Sequence, residues 1–330
     1  MKLDLKKYSK YTNIKNIDEL KDFEGNYFNA IISLLKKAEA IIIVPALFPS
    51  WLLMKMIKSG LDVQVKDYYF FQQLLHKSVE EIKMIKKTAK GVRDCFDYIE
   101  NILANSISQN NFIYYKKQKL SSKILSALID EFFLSKDIKC EFSIVACGKY
   151  AYYPHSQINH FLKPGKTIII DLAARNTDNG YYIDVSRTYC VGKLEYQKFI
   201  DLYNCIKKAK LKLEENACHG KLISIAYNEA VNVMSEQGIR VVKRNSLVKD
   251  ATTPICYHSL GHGVDRKLHQ LPVISKNATV NFEENMVVTI EPGAYIKGCG
   301  GVRIEDTYLI TKHGAENLTG GKYNFLINQK

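Results

Sequence analysis

The chain has 330 residues, 46% hydrophobic and 25% charged. That balance excludes a disordered chain and is long enough for two domains. The formal charge of +13 comes from scattered lysines, with no arginine-rich stripe and no basic–aromatic interleaving. A solvated basic surface is therefore expected, and nucleic acid is not expected as a partner.

The first ten residues are charged with no apolar run behind them, so no secretory leader is expected. The most apolar stretch, 40–54, is interrupted by Pro45 and Pro49 and is too short to span a bilayer. Residues 40–44 predict a buried strand. Ser50 is placed as the cap of a helix running to 58, Gly60 as its C-terminal stop, and 61–65 as a second strand. His76 is assigned to a linker. At 78–81, S-V-E-E predicts a capping box. Ile82, Ile85, Ala89, Val92, Phe96 and Ile99 then keep helical spacing. A helix over 121–134 and a strand over 142–146 follow. The N-T-D-N-G cluster at 176–180 predicts a hairpin between an I-I-I-D-L strand and a strand over 181–189. Two helices are expected near 196–215 and 223–237, then short strands with glycine turns. The fold class is α+β, with domains at 1–77 and 78–330. The eight cysteines contain no C-x-x-C pair, and their irregular spacing suits free thiols in a reducing cytoplasm.

Carboxylates interrupt apolar runs at Asp171, Asp184, Glu291 and Glu305. An acidic group ending a strand is costly unless it is paired or bound to a cation. Plainer readings exist for each: Asp171 as a turn cap, Asp184 paired with Arg187, and Glu291 and Glu305 in a buried pair with an arginine, Arg303 lying on the strand face of Glu305. The histidines shift the balance. His258, His262 and His269 fall within C-Y-H-S-L-G-H-G-V-D and the residues just after it, and His262 lies between two glycines, where the backbone can approach a ligand closely. His155, in Y-Y-P-H-S, is a weaker candidate; His160, His219 and His313 are assigned to the surface. Together these residues suit a pair of divalent cations and a hydrolytic reaction.

The segments D-x12-D, L-G-H-G, T-I-E-P-G-A-Y-I and G-G-V-R-I-E-D resemble the ligand signature of the pita-bread metallopeptidases, from about residue 78 to the end. Within that superfamily the chain resembles Xaa-Pro aminopeptidase and Xaa-Pro dipeptidase (prolidase). The resemblance implies a pita-bread catalytic domain behind a shortened creatinase-like α/β N-terminal domain. It implies Asp171, Asp184, His262, Glu291 and Glu305 as metal ligands, with Asp184 and Glu305 bridging. Glu291 would also be the general base. His155, His258 and His269 would contact the peptide and the developing tetrahedral centre, and Arg303 would support the ligand glutamate. Two divalent ions per chain are implied; oxygen-dominated ligands favour Mn²⁺, with Co²⁺, Fe²⁺ and Zn²⁺ as alternatives.

The partner implied is a peptide, handled in the cytoplasm with no membrane attachment, and a homodimer is left open. Family members that lost ligands act as binding proteins, and creatinase-like relatives cleave C–N bonds. The full ligand set here ranks the peptidase reading first. The departures are Ala173, Gln270 in H-Q-L-P, Asp265 and Val273. Val273 stands where dipeptidases often carry an arginine for the dipeptide carboxylate. That favours an Xaa-Pro aminopeptidase, with prolidase as the alternative.

Overall fold

The computed structural model describes residues 27–37, 41–66, 75–242 and 252–329, so the expectations for the first ten residues and for Ala40 lie outside the described residues. The chain divides into two compact units, 1–72 and 73–330. In the first, α1 (Tyr27–Lys37) and α2 (Ser50–Lys58) accompany the parallel strands β1 (Ile42–Pro45) and β2 (Val63–Lys66), paired from Ile42↔Val63 to Pro45↔Lys66. Ile32, Met56 and Leu61 form its small core. Pro49, not Ser50, is the N-cap of α2, and no side chain caps the helix. Ser50 already lies inside the first turn. Gly60 stops the helix at φ 79°, a conformation that costs glycine nothing.

The second unit begins with α3 (Val79–Ala104). The predicted capping box is present: Glu81 N donates to Ser78 Oγ at 3.2 Å, and Ser78 N donates to the Glu81 carboxylate at 2.8 Å. A small meander follows, β3 (Ile107–Gln109), β4 (Phe112–Tyr115) and β5 (Gln118–Lys119), reversing at Asn110–Asn111 and Lys116–Lys117. Ser121 caps α4 (Ser122–Leu134). β6 (Ile138–Cys147) starts earlier than expected because it pairs along nearly all of β7 (Thr167–Asn176). The hairpin partner of β7 is β8 (Tyr182–Val191), and the sheet order is β18-β8-β7-β6, with β18 spanning Leu326–Ile327.

Side-chain alternation on this hairpin places the chemistry. Ile168, Ile170 and Leu172 of β7 and Ile183 and Val185 of β8 pack against α3 and α4. Asp171 and Asp184 therefore share the other face, two residues out of direct register, with Asp171 opposite Ser186 and Ala173 opposite Asp184. The same alternation removes the plain reading of Arg187 as a partner of Asp184. Arg187 lies on the helix face, over the Phe96 ring.

The last third follows α5 (Lys198–Asn216) and α6 (Ile223–Glu236). β9 (Arg240–Val241), β10 (Ile255–Cys256), β14 (Gly293–Ile296) and β15 (Gly300–Arg303) form one sheet. β11 (His262–Gly263), β12 (Gln270–Val273), β13 (Val287–Ile290), β16 (Asp306–Thr311) and β17 (Gly314–Asn317) form another. Phe199, Ile206 and Leu213 of α5 and Ile223 and Ala230 of α6 pack against Val288, Ile290, Val302 and Tyr308.

A charged knot is buried in this half. Asp306 accepts from Arg187 Nη2 at 2.7 Å and Lys210 Nζ at 2.8 Å, and Tyr323 Oη and Thr319 Oγ1 donate to it at 2.6 and 3.0 Å. Burial would raise its pKa, but the Arg187 and Lys210 charges hold its carboxyl well below the usual range. Removing one partner of such a group leaves uncompensated buried charge. Asp306→Ala should therefore cost about 3–5 kcal/mol in urea unfolding; a loss within the ordinary surface range would contradict this account of the knot.

Candidate metal centre

Carboxylates and imidazoles from several strands meet on the polar face of the β7–β8 hairpin. Three groups have one ligand atom per residue within 4.8 Å of one another: Asp171, Asp184 and Glu305; His262, Glu291 and Glu305; and Asp184, His262 and His269. Asp184, His262 and Glu305 each belong to two of these. All five expected ligands are thus brought together. His269, expected to face substrate, also reaches this cluster, with its ring 4.5 Å from that of His262.

Each side chain is held by its element. Thr307 Oγ1 donates to Asp184 O, and Asp184 N donates to Thr307 Oγ1. His262 N donates to Thr289 Oγ1 at 3.1 Å, and the His262 ring meets Gly263 O at 3.0 Å through Nδ1. That contact requires a proton on Nδ1 and leaves Nε2 toward Asp184 and Glu291, at 3.6 and 3.8 Å. The flanking glycines also have a packing role. A Cβ on Gly261 would lie 2.1 Å from Thr289 O, and one on Gly263 would lie 2.0 Å from Leu271 O. They admit the neighbouring strands and so clamp His262 in place.

Arg303 also differs from expectation. Arg303 and Glu305 reach the same site, but they form no direct ion pair. Its Nη2 donates to Asp171 Oδ2 at 2.6 Å, Nη1 to Tyr295 Oη at 2.9 Å and Nε to Ser186 Oγ at 2.9 Å. Ser186 Oγ in turn donates to Glu305 Oε2 at 3.0 Å, so Arg303 reaches Glu305 only through Ser186.

His258 is engaged at both ring nitrogens. Nδ1 lies 2.6 Å from Ser259 O and Nε2 lies 2.8 Å from Tyr295 Oη. A carbonyl only accepts, so Nδ1 carries the proton and Nε2 accepts from Tyr295. Burial, helped by the nearby Arg303 charge, pushes the His258 pKa down to about 4. The ring is therefore neutral near pH 7, and donating to an oxyanion requires the Nδ1 contact with Ser259 O to open. His155 lies outside the three ligand groups, on the surface, edge-on to Phe142 at 6.2 Å. His160 is half-buried, not a surface residue: its ring stacks on Tyr150 and accepts from Cys147 N. His76 contacts Glu283 and Glu284, and His219 and His313 are exposed. The cysteines are free.

Ser186, Thr289, Tyr295 and Thr307 are the supporting residues that sequence reasoning left without a role. Ser186 was within reach, since it lies two residues after Asp184 on one strand face. Tyr295 lies inside a quoted motif, but no spacing rule points its hydroxyl at His258.

The donor set fits divalent cations. Four buried or half-buried carboxylates face Arg303 and the imidazoles of His262 and His269, and Asp171 Oδ1 and Glu305 Oε1 are buried with no hydrogen-bond partner among the described residues. Buried carboxylate oxygens are rarely left this way unless an ion takes them up. Burial and the Asp171 charge push the Asp184 carboxyl up to about 6. Burial pushes Glu291 up to about 7, and burial with the Asp184 charge pushes Glu305 well above the usual range. Burial alone would lower His262, but its Asp184 bond and the Glu291 charge raise it to about 9.

The sign for metal binding follows. Without a cation these groups hold protons that a metal ligand must lose, so binding near pH 6.5 should release more than one proton, and affinity should rise from pH 5 to 8. Calorimetric Mn²⁺ titration in two buffers of different ionisation heat measures this. Equal apparent heats would contradict it.

A family model described as metallopeptidase family M24 matches residues 83–312. An Xaa-Pro dipeptidase of Pyrococcus furiosus is 34% identical over 178 residues, 54% of this chain and 47% of that protein. An Xaa-Pro dipeptidase of Lactobacillus helveticus is 27% identical over 257 residues, 76% of this chain and 61% of its own. The chain spans about half the length of the first of these relatives. The solved prolidase from Pyrococcus furiosus superposes with a TM-score of 0.71 at 25% identity, covering 89% of this chain and 80% of that one. The X-Pro aminopeptidase structure from Thermotoga maritima, 20% identical with a TM-score of 0.70 over 92% of this chain and 80% of that one, shares the fold. Among the described residues no helix is long and apolar enough to cross a membrane.

Proposed function

The chain belongs to metallopeptidase family M24, and from that premise we propose that it removes the N-terminal residue from peptides with proline second, using two divalent cations. The observation that carries the reading is the buried cluster in which Asp184, His262 and Glu305 each join two ligand groups and two carboxylate oxygens lack partners among the described residues. Asp171, Asp184, His262, Glu291 and Glu305 hold the ions, for which Mn²⁺ suits the oxygen-rich set. Bound there, such ions supply a nucleophile at neutral pH and a Lewis acid for the scissile carbonyl.

The chain's own groups do the rest. Glu291, with a carboxyl pushed up toward neutrality in the metal-free site, takes the proton of the attacking water. His258 releases its Ser259 contact so that the protonated Nδ1 donates to the oxygen where charge develops, while Nε2 keeps accepting from Tyr295. His155 and His269 orient the peptide around the scissile bond. Arg303 holds Asp171 and Tyr295 in one hydrogen-bonded chain with His258. The proline preference is supported by the Xaa-Pro names of the relatives, and the substrate is met in the cytoplasm.

Substrate length follows from Val273. It pairs with His262 across β11–β12 and is 39% exposed, so an apolar side chain flanks the site there. A dipeptide would place its carboxylate where no fork of donors meets it. Arg266, the nearby cation, sits 5.0 Å over the Tyr181 ring, engaged elsewhere. Ala-Pro-Ala should therefore be cleaved with a kcat/KM about tenfold or more above Ala-Pro, equivalent to about 1.4 kcal/mol, in the presence of Mn²⁺. The prolidase reading is favoured instead if the dipeptide is cleaved faster.

A further inference from the structure

Lys77 is 6% exposed, and its ammonium lies 2.9 Å from Asp265 Oδ2. Both partners sit on firm supports. Lys77 immediately precedes Ser78, the N-cap of the 26-residue helix α3, and its backbone N–H donates to Asn285 O at 2.9 Å. Asp265 lies in the short connection between β11 and β12. Its other oxygen accepts from Arg266 N at 2.7 Å, its carbonyl accepts from Tyr182 N at 2.9 Å, and its own N–H donates to Lys267 O at 3.2 Å. Nearby, Tyr181 donates its hydroxyl to Glu81, in the first turn of α3.

His269 ends that same connection, one residue before β12. Its ring packs on His262, and among the described residues it has no hydrogen-bond partner. Nothing polar holds the imidazole itself, so its position depends on the ring contact with His262 and on the backbone of residues 264–269. A buried ion pair is a poor general stabiliser, because desolvation offsets much of the attraction; its best-attested use is to specify geometry.

We propose that the Lys77–Asp265 pair is a positioning device for His269, tying the loop that carries it to the N-terminus of α3 and the β7–β8 hairpin. This rests on the reading above that His269 faces the peptide. A displacement near 1 Å at a reacting centre can cost ~10²-fold in rate. Loosening the tie is expected to lower kcat ~10-fold while metal content stays unchanged.

The test is a double-mutant cycle on Ala-Pro-Ala hydrolysis with Mn²⁺. Asp265→Asn should lower kcat in the otherwise unchanged protein and have no further effect in a His269→Ala background. Losses that multiply would overturn the proposal. Lys77→Met/Asp265→Leu removes both charges together, leaves no buried charge unpaired and should keep its thermal midpoint while still losing kcat. Wild-type turnover in that variant would also overturn it. A second readout does not depend on turnover: the His269 ring signal in ¹³C-histidine spectra of the Zn²⁺-loaded protein, assigned by its loss in His269→Ala. That signal should shift and broaden in Lys77→Met/Asp265→Leu, and an unmoved signal contradicts the positioning claim. If the chain cleaves no Xaa-Pro peptide but the signal moves, the functional reading fails while the positioning device stands.

Discussion

Glu305→Ala and Asp184→Ala should each abolish peptide hydrolysis and strip the site of metal, a larger effect than any other single change expected here. Glu305 is 1% exposed and joins two ligand groups, one with Asp171 and Asp184 and one with His262 and Glu291. Asp184 joins the first of these and the group with His262 and His269. Removing either takes a ligand from both halves of the centre at once. Charge stabilisation by bound cations is worth several kcal/mol, so kcat/KM should fall by at least ~10³-fold. A misfolded protein would give the same loss, but stability separates the two. Burial and the neighbouring Asp184 and Glu291 charges push the Glu305 carboxyl well above the usual range, which means its charged form is costly in the metal-free fold. Glu305→Gln keeps the side chain's shape and removes that cost. Its metal-free thermal midpoint should match or exceed wild type near pH 8, while Mn²⁺ should no longer raise it. A midpoint that still climbs with Mn²⁺ as in wild type would rule out Glu305 as a bridge.

His258→Ala and His262→Ala should part company. The two histidines lie four residues apart and both belong to the site, yet their surroundings differ. His262 turns Nε2 toward Asp184 and Glu291, within the ligand groups. His258 belongs to none of those groups and is spent on Ser259 O and Tyr295 Oη. His262→Ala should therefore lower metal content along with activity. His258→Ala should keep its metal and lose roughly 10²–10³-fold in kcat, the range for removing a donor to a developing oxyanion. KM should change little, since the interaction forms only as the reaction proceeds. Equal metal loss in the two variants would show that the roles are wrongly divided.

What the sequence made legible was facing; what it left hidden was pairing. A period of two puts Asp171 and Asp184 on the face opposite Ile170 and Val185, and strand pairing then brings the carboxylates together as the hairpin motif suggested. The same rule brought Arg303 and Glu305 to one site but not into a pair: the guanidinium binds Asp171 and meets Glu305 only through Ser186. Arg187 illustrates the other gap. Its alternation from Asp184 was readable, but Asp306 and Lys210, which share its buried charge, come from elements far apart in the chain. The S-V-E-E cap was legible because its bonds span three residues. The turn at Lys116–Lys117 was not, because lysine carries no signal for the positive φ it adopts there. The close approach at the glycines around His262 was legible, but the strand atoms that use it, Thr289 O and Leu271 O, were not.

The central claim is that one chain holds two divalent cations on these five side chains. Anomalous scattering from crystals of the protein grown with Mn²⁺ tests it most directly. Two peaks per chain are expected, both within ligand distance of Asp184 and Glu305, one also touching Asp171 and the other His262 and Glu291. A single peak, or peaks that leave Asp171 or His262 without a cation, would contradict it.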